Sequence, residues 1–385
     1  MSFAIHESNI ILCSRDNSVV AYNLESKTQK TFTLPNLATE KEIRAHNNED
    51  FDSLDALLSV VFSADGKYFL ICANRKQLCV YNSTSLELVS NRTLARSASR
   101  VKFLPNNDIV VADRSGDAYL YSVEKADEKG QLLLGHLSML LDVLVTSDLN
   151  HIITADRDEK IRVSLFPNSY NILSYCLGHK KFVTNLGFVP HDESILVSCG
   201  GDGSLMFWDF VKGTELLTIY FHEKFSQNDL ETLNEFLEIT DAKGKVSVPP
   251  VKLFQLIQFA KEKSIICMAF YCSKTILVYS ITGLKNDFTV EYSQSIIFNK
   301  MILDCKSYGN KLWVLTSDGL HVYKFLESGL ILINDRDTES ETSDLDELWK
   351  KLQAASSIPF LPILYKRTFD SLQEYQERKK LRLDP

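Results

Sequence analysis

The chain has 385 residues, of which 45% are apolar and 24% charged, values that are ordinary for a globular protein. This length allows two average domains or one large closed all-β domain. The formal net charge of −8 argues against coating of nucleic acid through bulk charge, although it leaves room for a local basic surface. No apolar run approaches the roughly 20 residues that span a bilayer, and the first residues lack the features of a secretory signal, so we expect no membrane contact.

Seven similar strand endings recur along the chain, each with an aromatic residue or its replacement at the same position. The gaps between them are 59, 40, 43, 44, 71 and 44 residues, and four of these match the roughly 40–45 residues of one four-stranded propeller blade. β-rich runs broken by Asp-Gly, Pro-Asn and Gly-Asn turns support this assignment. The aligned positions are Tyr22, Tyr81, Tyr121, Ser164, Trp208, Tyr279 and Tyr323. We therefore predict an all-β fold, a seven-bladed β-propeller over residues 1–334.

The two long gaps predict insertions, at about residues 33–55 and 221–247. Insertions of this kind belong in loops on one face of the ring. The second insertion carries Leu230, Leu233 and Leu237 at helical spacing, together with Phe236. It therefore predicts a short helix between blades five and six.

Two Gly-His pairs, Gly135-His136 and Gly178-His179, lie 43 residues apart. The second pair leads through an apolar strand to Trp208-Asp209, and Gly-His followed by Trp-Asp is typical of a WD40-type blade. In such a blade the His, a turn Asp, a strand Ser or Thr and the Trp hydrogen-bond across one sheet. The predicted members in blade five are His179, Ser198, Asp202 and Trp208.

The turn of blade four, from Asp156 to Arg162, is charged at every position except Ile161. Counting back from Ser164, Asp158 takes the place of Asp202 in blade five, which predicts a bond from Asp158 to His136. If Ile161 and Val163 face the neighbouring blade, Lys160 and Arg162 share the opposite side of the strand, and Glu159 lies exposed in the turn.

This turn is either solvated surface or a contact site. Arg114 occupies the equivalent turn of blade three, and Lys180-Lys181 follow the next Gly-His pair. The three corners together would form a strip of mixed charge on one rim, where loops of adjacent blades converge. Mixed charge favours a specific protein partner, because complementary pairs fix the register of two surfaces.

The sequence predicts no catalytic residue, no metal site and no cofactor-binding site. The one glycine cluster, Cys199–Gly203, leads into a strand rather than a helix, so it cannot cradle phosphate as a nucleotide-binding loop does. None of the eight cysteines forms a C-x-x-C pair, and most lie in apolar runs, which predicts buried free thiols in the cytosol or nucleus.

The C-terminal part does not follow the blade period. Residues 335–357 begin with seven acids against one arginine, which predicts an acidic flexible linker. Residues 358–385 predict a basic tail or helix. Five of its six cations lie close to Tyr365 and Tyr375, and they are Lys366, Arg367, Arg378, Lys379 and Lys380. The tail either packs on the propeller through Leu364, Phe369 and Leu372 with solvated cations, or it contacts nucleic-acid phosphates.

The stretch from about Ala112 to Phe210, with its charged turn between two Gly-His pairs, resembles the non-catalytic WD-repeat subunit of tRNA (guanine-N7-)-methyltransferase. The segment Leu364–Tyr375 resembles the C-terminal part of the same family. The resemblance implies that the chain binds and stabilises a separate catalytic subunit, which carries S-adenosylmethionine and methylates N7 of a guanine in the tRNA variable loop. It also implies a role in holding tRNA, for which the basic tail is the candidate.

The resemblance further implies that the charged turn faces the catalytic subunit. The candidate partner-binding residues are Arg114, Asp158, Glu159, Arg162 and Lys181. Arg162 would either brace the turn or meet a carboxylate of the partner. Residence in the nucleus, with the cytoplasm as the alternative, is expected on the same ground.

A different class of function is a substrate adaptor of a ubiquitin ligase. Many propellers dock such ligases through Trp-Asp-x-Arg/Lys. Here Phe210-Val211 follow the one Trp-Asp pair, so the cation is misplaced, which lowers the weight of this alternative.

Overall fold

The computed structural model of the chain describes residues 2–13, 18–35, 57–73, 76–225, 227–239, 246–326, 329–334 and 364–365. These residues form seven four-stranded antiparallel sheets, and the strands of each sheet follow one another in sequence. The predicted seven-bladed propeller is confirmed. All seven aligned aromatic or replacement positions lie on the third strand of a sheet.

The first four blades occupy the N-terminal half of the ring. Blade one comprises β1 (Ser2–His6), β2 (Asn9–Cys13), β3 (Ser18–Asn23) and β4 (Gln29–Thr33). Blade two comprises β5 (Leu57–Phe62), β6 (Tyr68–Ala73), β7 (Gln77–Asn82) and β8 (Leu88–Thr93). Blade three comprises β9 (Ala98–Phe103), β10 (Ile109–Asp113), β11 (Asp117–Tyr121) and β12 (Gln131–Gly135). Blade four comprises β13 (Leu140–Val145), β14 (His151–Asp156), β15 (Ile161–Leu165) and β16 (Ile172–Cys176).

The remaining three blades complete the ring. Blade five comprises β17 (Val183–Val189), β18 (Asp192–Gly200), β19 (Ser204–Asp209) and β20 (Thr214–Tyr220). A 3₁₀ turn (His222–Lys224) and helix α1 (Gln227–Ile239) follow it. Blade six comprises β21 (Val251–Ala260), β22 (Lys263–Phe270), β23 (Thr275–Thr282) and β24 (Thr289–Ile297). Blade seven comprises β25 (Ile302–Tyr308), β26 (Lys311–Thr316), β27 (Leu320–Leu326) and β28 (Gly329–Asn334).

The first strand of each blade lines the centre of the ring. Neighbouring inner strands contact one another all the way around, including β1 against β25. We call the face at which the inner strands begin the entry face. It carries the turns between second and third strands and the connections from one blade to the next, so residues in these segments share one side of the ring.

The ring closes without exchange of a strand between its two ends, because blade seven is built from β25–β28 alone. Asp304 of β25 joins the ends instead. Its Oδ2 accepts hydrogen bonds from the Ser2 hydroxyl at 2.8 Å and the Phe3 amide at 3.1 Å. Phe3 and Trp313 also belong to one buried apolar cluster. Closure of the ring is therefore stabilised by burial of apolar surface and by the hydrogen bonds that the buried Asp304 carboxylate accepts.

Apolar layers between the blades supply the core. The alternation predicted for β15 is correct: Ile161 and Val163 are fully buried and pack with Trp208 of blade five. The opposite side of β15 therefore faces blade three.

The helix predicted in the second insertion is present as α1. Leu233 and Leu237 are buried, and Asn234 holds Val246 by bonds to both its amide and its carbonyl. Most of the first predicted insertion, the acidic linker at 335–357 and most of the tail at 358–385 lie outside the described residues.

All eight cysteines carry free thiols, and every one except the half-buried Cys272 is buried, as the apolar runs predict. Burial raises the pKa of the Cys72 thiol to about 12, so it stays protonated. In the described ranges, His, Cys, Asp and Glu nowhere gather in a group that could hold a metal ion. None of the helices in those ranges is both long and apolar enough to cross a membrane.

Candidate protein-interaction surface

The predicted hydrogen-bond chain of blade five is confirmed. Trp208 Nε1 donates to the Ser198 hydroxyl at 2.8 Å, and that hydroxyl lies 2.7 Å from His179 Nε2. His179 Nδ1 lies 2.9 Å from the Asp202 carboxylate. Burial alone would raise the pKa of Asp202, but hydrogen bonds from His179, Ser204 and the Lys180 amide lower it to about 2. These hydrogen bonds thus connect the turn of blade five to the third strand of the same blade.

The prediction that Asp158 bonds His136 is wrong. His136 Nδ1 instead lies 3.0 Å from Asp156, and its Nε2 lies 2.9 Å from the Thr154 hydroxyl. Asp156 ends β14, where blade five has Gly200, so of these two blades blade four alone has a carboxylate at the strand end. Asp158 does occupy the place of Asp202, yet it accepts a bond from the Ser138 hydroxyl at 2.8 Å.

Arg162 is a buried brace between blades three and four, with 9% of its surface exposed. Its Nε donates to the Ser164 hydroxyl at 2.8 Å and its Nη2 to the Ser169 carbonyl at 2.7 Å. Its Nη1 donates to the Gly135 carbonyl, the end of β12, at 3.3 Å. Burial lowers the pKa of Arg162, an effect that Tyr175 opposes. Of the two expected roles, the bracing one matches this geometry, although Arg162 supports the sheet edge rather than the turn.

The other candidate partner-binding residues lie at three consecutive corners of the entry face. Arg114 directly follows β10, Asp158 and Glu159 lie between β14 and β15, and Lys181 precedes β17. All four are partly exposed. The structure thus brings these four residues to one rim, which we call the charged rim, and whether a partner contacts it stays a prediction.

Glu159 has an unusual backbone, with φ of +72°. The equivalent positions of blades three and five are Gly116 and Gly203, at +107° and +77°. Blade two has Lys76 there, at +61°. A residue with a Cβ pays about 1 kcal/mol or more for this conformation. Blade four therefore carries a carboxylate where glycine would be less strained.

Sequence reasoning missed an apolar surface on the outer edge of blade four. Five residues on or beside β16 expose between 40% and 74% of their surface, and we call them the blade-four strip: Tyr170, Ile172, Leu173, Tyr175 and Leu177. Leu137, in the connection before β13, is fully exposed as well. The sequence does contain a pattern that predicts this surface: consecutive residues of an outer strand are apolar, whereas the side of such a strand that faces solvent is normally polar.

The blade-four strip continues onto blade five. Gly213 of blade five lies against the backbone of Tyr175, with so little space that a Cβ would meet the Tyr175 carbonyl at 2.5 Å. Val211 and Leu216 beside it are exposed too. β16 is the outermost strand of its sheet, so no further strand of blade four pairs with its outer edge.

The C-terminal part is anchored on the entry face at Leu364 and Tyr365. Leu364 is 1% exposed, and the Tyr365 ring packs edge-on against Phe182 with centroids 5.2 Å apart. Burial raises the pKa of Tyr365, and Cys272 and Tyr271 add to the shift. The socket is formed mainly by Leu141, Phe182, Leu233, Leu237 and Val246, with Met139 at its edge.

This anchor lies next to the charged turn. The Arg157 amide donates to the Met139 carbonyl at 2.9 Å, so a hydrogen bond joins the edge of the socket to the turn of blade four. Leu364 packs on the propeller, as the first alternative for the tail expects, and the choice between the two alternatives stays a prediction. The candidate tRNA-binding residues lie outside the described residues, and so do Phe369 and Leu372. They are Lys366, Arg367, Arg378, Lys379 and Lys380.

These features define a WD-repeat β-propeller. Its described surface carries two areas suited to contact with another protein, the charged rim and the blade-four strip, and both lie at one edge of the ring. Residues 121–324 match the family model described as the tRNA methyltransferase TRM82 WD40 domain. The chain belongs to the family of non-catalytic WD-repeat subunits of tRNA (guanine-N7-)-methyltransferase, as its relatives also show.

The relatives are named as non-catalytic subunits of tRNA (guanine-N(7)-)-methyltransferase. The wdr4 protein of Xenopus laevis is 33% identical, covering 90% of this chain and 85% of its own length. Human WDR4 is 31% identical, covering 89% and 81%. The wuho protein of Drosophila mojavensis is 30% identical, covering 86% and 81%.

Solved structures agree in fold at lower identity. A chain of the mitotic checkpoint complex superposes with a TM-score of 0.61 at 14% identity, covering 83% of this chain and 87% of that one. The WD40 repeats of RRP9 give 0.61 at 15% identity with the same coverage. At these identities the similarity concerns the propeller alone.

Proposed function

We propose that this chain binds and stabilises a separate S-adenosylmethionine-dependent subunit and helps to position tRNA for N7-methylation of the variable-loop guanine. The observation that carries the proposal is the joint position of the blade-four strip and the charged rim on one edge of the ring. Membership of the family supplies the identity of the partner. The cofactor and the reacting groups belong to that partner.

The blade-four strip would form the centre of the interface. Protein interfaces combine an apolar, aromatic centre with a polar rim, and tyrosines are frequent among the residues that contribute most to binding. Tyr170 and Tyr175 expose 74% and 40% of their surface in the isolated chain. Burial of this strip against the catalytic subunit would stabilise both proteins, because each covers apolar area that water otherwise contacts.

The charged rim would set the orientation. Asp158 and Glu159 would pair with lysine or arginine of the catalytic subunit, while Arg114 and Lys181 would meet acidic groups. Glu159 supports this role because blade four keeps a carboxylate at φ +72°, a backbone position where two other blades have glycine. Arg162 would contribute indirectly, since it holds β15 and β12 in place beneath the turn.

Replacement of Glu159 by glycine separates binding from stability. Glu159→Gly relieves the backbone strain, so we expect the isolated chain to become more stable by up to about 1 kcal/mol. The same variant should bind the catalytic subunit at least tenfold more weakly. Thermal unfolding and titration calorimetry measure the two quantities on one preparation. Exposed Glu124, in the loop after β11, supplies the control Glu124→Gly, which should leave affinity unchanged.

Charges placed in the blade-four strip test its centre. Leu173→Glu combined with Leu177→Glu should abolish co-purification with the catalytic subunit, because the carboxylates would be desolvated without partners. Ile297→Glu, at the outer strand of blade six where that side chain is 75% exposed, is the matched control and should co-purify normally. Normal co-purification of both the strip variant and Glu159→Gly would refute this interface.

The basic tail would contact tRNA phosphates. Leu364 and Tyr365, which directly precede the first two cations of the tail in the sequence, are anchored beside the charged turn. Replacing the five candidate tRNA-binding cations by glutamine should weaken tRNA binding by the heterodimer and lower its salt slope by about 0.7–0.9 for each phosphate that is no longer neutralised. Heterodimer formation should not change. An unaltered salt slope would refute a phosphate-binding tail.

Transfer assays test the division of labour. Labelled S-adenosylmethionine and tRNA should give methylated tRNA only when both subunits are present, and this chain alone should give none. Transfer by the isolated chain would contradict the proposal. Residence in the nucleus is proposed as well, and imaging of the tagged full chain in its own cells would test it.

A further inference from the structure

The centre of the propeller has a charge opposite to that of the whole chain. The seven inner strands carry two aspartates, Asp142 and Asp304, and four cations. The cations are Arg100, Lys102, Lys252 and Lys306. The central channel therefore has a formal charge of +2, whereas the chain as a whole has −8. A low-dielectric wall strengthens such a local charge.

Both aspartates are largely used in holding the ring together. Asp142 accepts bonds from the Val143 amide and, across the blade boundary, from the Leu186 amide, each at 2.8 Å. Asp304 accepts from its neighbour Cys305 and from two groups of β1. These amide donors stabilise the carboxylates without needing the cations. Two of the cations also hold the ring: Arg100 Nη2 donates to the Thr184 carbonyl at 3.0 Å, and Lys252 Nζ donates to the carbonyls of Ile302 and Leu303 at 3.0 and 2.9 Å. Lys102 and Lys306 are therefore the cations that exceed what the ring requires.

The cations are only partly neutralised. Lys102 Nζ lies 2.8 Å from Asp142, while Lys306 Nζ lies 3.5 Å from Asp304. Arg100 Nε lies 3.3 Å from Asp142, but this nitrogen is buried without a hydrogen bond. These three side chains expose between 27% and 32% of their surface.

The cations are also close enough to repel one another. Burial lowers the pKa of Lys102, Asp142 raises it, and the charges of Arg100 and Lys306 lower it further. Lys102 is on blade three and Lys306 on blade seven, so cations from separate parts of the ring converge in the channel. An anion between them would remove this repulsion.

Space for an anion lies beside Lys306. A cavity of about 260 Å³ is bounded by inner strands β1, β5 and β25. Polar side chains on its wall are His6, Ser63, Lys306 and Ser307. This volume is larger than that of a single phosphate group, and the cavity lies where the inner strands of blades seven, one and two meet.

We propose that the central channel binds a small phosphate-type anion, with Lys306 as its direct contact and with Lys102 and Arg100 supplying further positive charge. The shared chemistry is a compact anion of charge −2 or more. Its source is either free phosphate or pyrophosphate, or the phosphate of a nucleotide. The site is separate from the blade-four strip, so it does not depend on the proposed function.

Thermal unfolding of the full chain tests the proposal. Phosphate, pyrophosphate and adenosine monophosphate are each titrated against sodium chloride of equal ionic strength, and calorimetry gives the affinity. We expect a saturable rise of the unfolding midpoint with phosphate or pyrophosphate. Tighter binding of adenosine monophosphate would identify a nucleotide as the source, whereas tighter binding of pyrophosphate would identify a free anion.

Variants that remove charge but keep the aliphatic stem assign the site. Lys306→Met and Lys102→Met should each weaken anion binding at least tenfold, whereas Lys30→Met, on exposed β4 of blade one, should not. Without anion, Lys306→Met should unfold at the same temperature as the wild type or higher, since repulsion of Lys102 is relieved. That result also shows that the variant is folded. A midpoint that rises without saturation, or equally in all variants, would overturn the proposal.

Discussion

Arg162 offers a direct test of the view that the blade-four edge depends on a buried brace. Arg162→Met keeps most of the aliphatic stem and removes the guanidinium. Two of the hydrogen bonds that it removes are short, at 2.8 Å to Ser164 and 2.7 Å to Ser169, and the third, to Gly135, is long at 3.3 Å. The Ser169 and Gly135 carbonyls would each be deprived of the guanidinium as a donor.

The expected effect follows from the number of bonds and from the burial of the charge. Hydrogen bonds from charged donors contribute about 1.5–3 kcal/mol each, so the two short ones contribute about 4 kcal/mol. The substitution also removes the cost of keeping a charged group away from water, which offsets about 2 kcal/mol of this loss in stability. The net loss is therefore about 2 kcal/mol. With an unfolding entropy of about 2.1 cal/mol/K for each of the roughly 300 described residues, the midpoint should fall by about 3 °C.

The assay is thermal unfolding of the isolated chain, followed by titration with the catalytic subunit. Arg92 provides a matched control, because it is also buried and donates to the carbonyls of Ala126, Ser122 and Lys125. Arg92→Met should lower the midpoint by a similar amount yet leave partner affinity unchanged, since it lies between blades two and three. Arg162→Met should lower the unfolding midpoint and should also weaken binding of the catalytic subunit. A midpoint within 1 °C of wild type would refute the bracing role.

Three further predictions concern the turns and the ring closure. The Asp202 pKa of about 2 lies below its usual 3.8, so this carboxylate should contribute about 2 kcal/mol above pH 4 and lose it as the pH falls towards 2. The difference in urea midpoint between wild type and Asp202→Asn should shrink accordingly. Asp304→Ala should destabilise the ring by about 3 kcal/mol and speed hydrogen exchange at the Phe3 amide, and unchanged exchange would contradict closure by Asp304. Gly200→Ala should prevent folding, because its Cβ would lie 2.0 Å from the Phe182 carbonyl, whereas Gly309→Asn, with nothing within 4 Å, should fold.

Much of the fold could be predicted from local pattern. Blade period, turn residues and the third-strand register all concern residues close in sequence, and the structure confirms each of them. The helical spacing of Leu233 and Leu237 likewise predicted α1, because periodicity alone indicates which residues share a face. In blade five the hydrogen-bond chain of His179 and Trp208 could be named in advance, since its residue types stand at the usual spacing.

The candidate site was less predictable. Asp156 and Asp158 are both within reach of His136 by sequence, and only the end of β14 decides which carboxylate meets the imidazole. Strand alternation placed Arg162 opposite Ile161, but it could not show that this side is covered by blade three. The burial of Arg162 depends on Ser169 and Gly135, which the sequence does not connect to it.

By itself, then, the sequence determined the number of blades, the register of their third strands and the location of the charged turn. Those properties arise from contacts within one sheet or one turn. Only the tertiary structure decided that the blade-four strip is exposed, that Leu364 returns to the entry face, and that Arg100, Lys102 and Lys306 come close together in the channel. Each of these depends on segments that are distant in sequence and become neighbours when the ring closes.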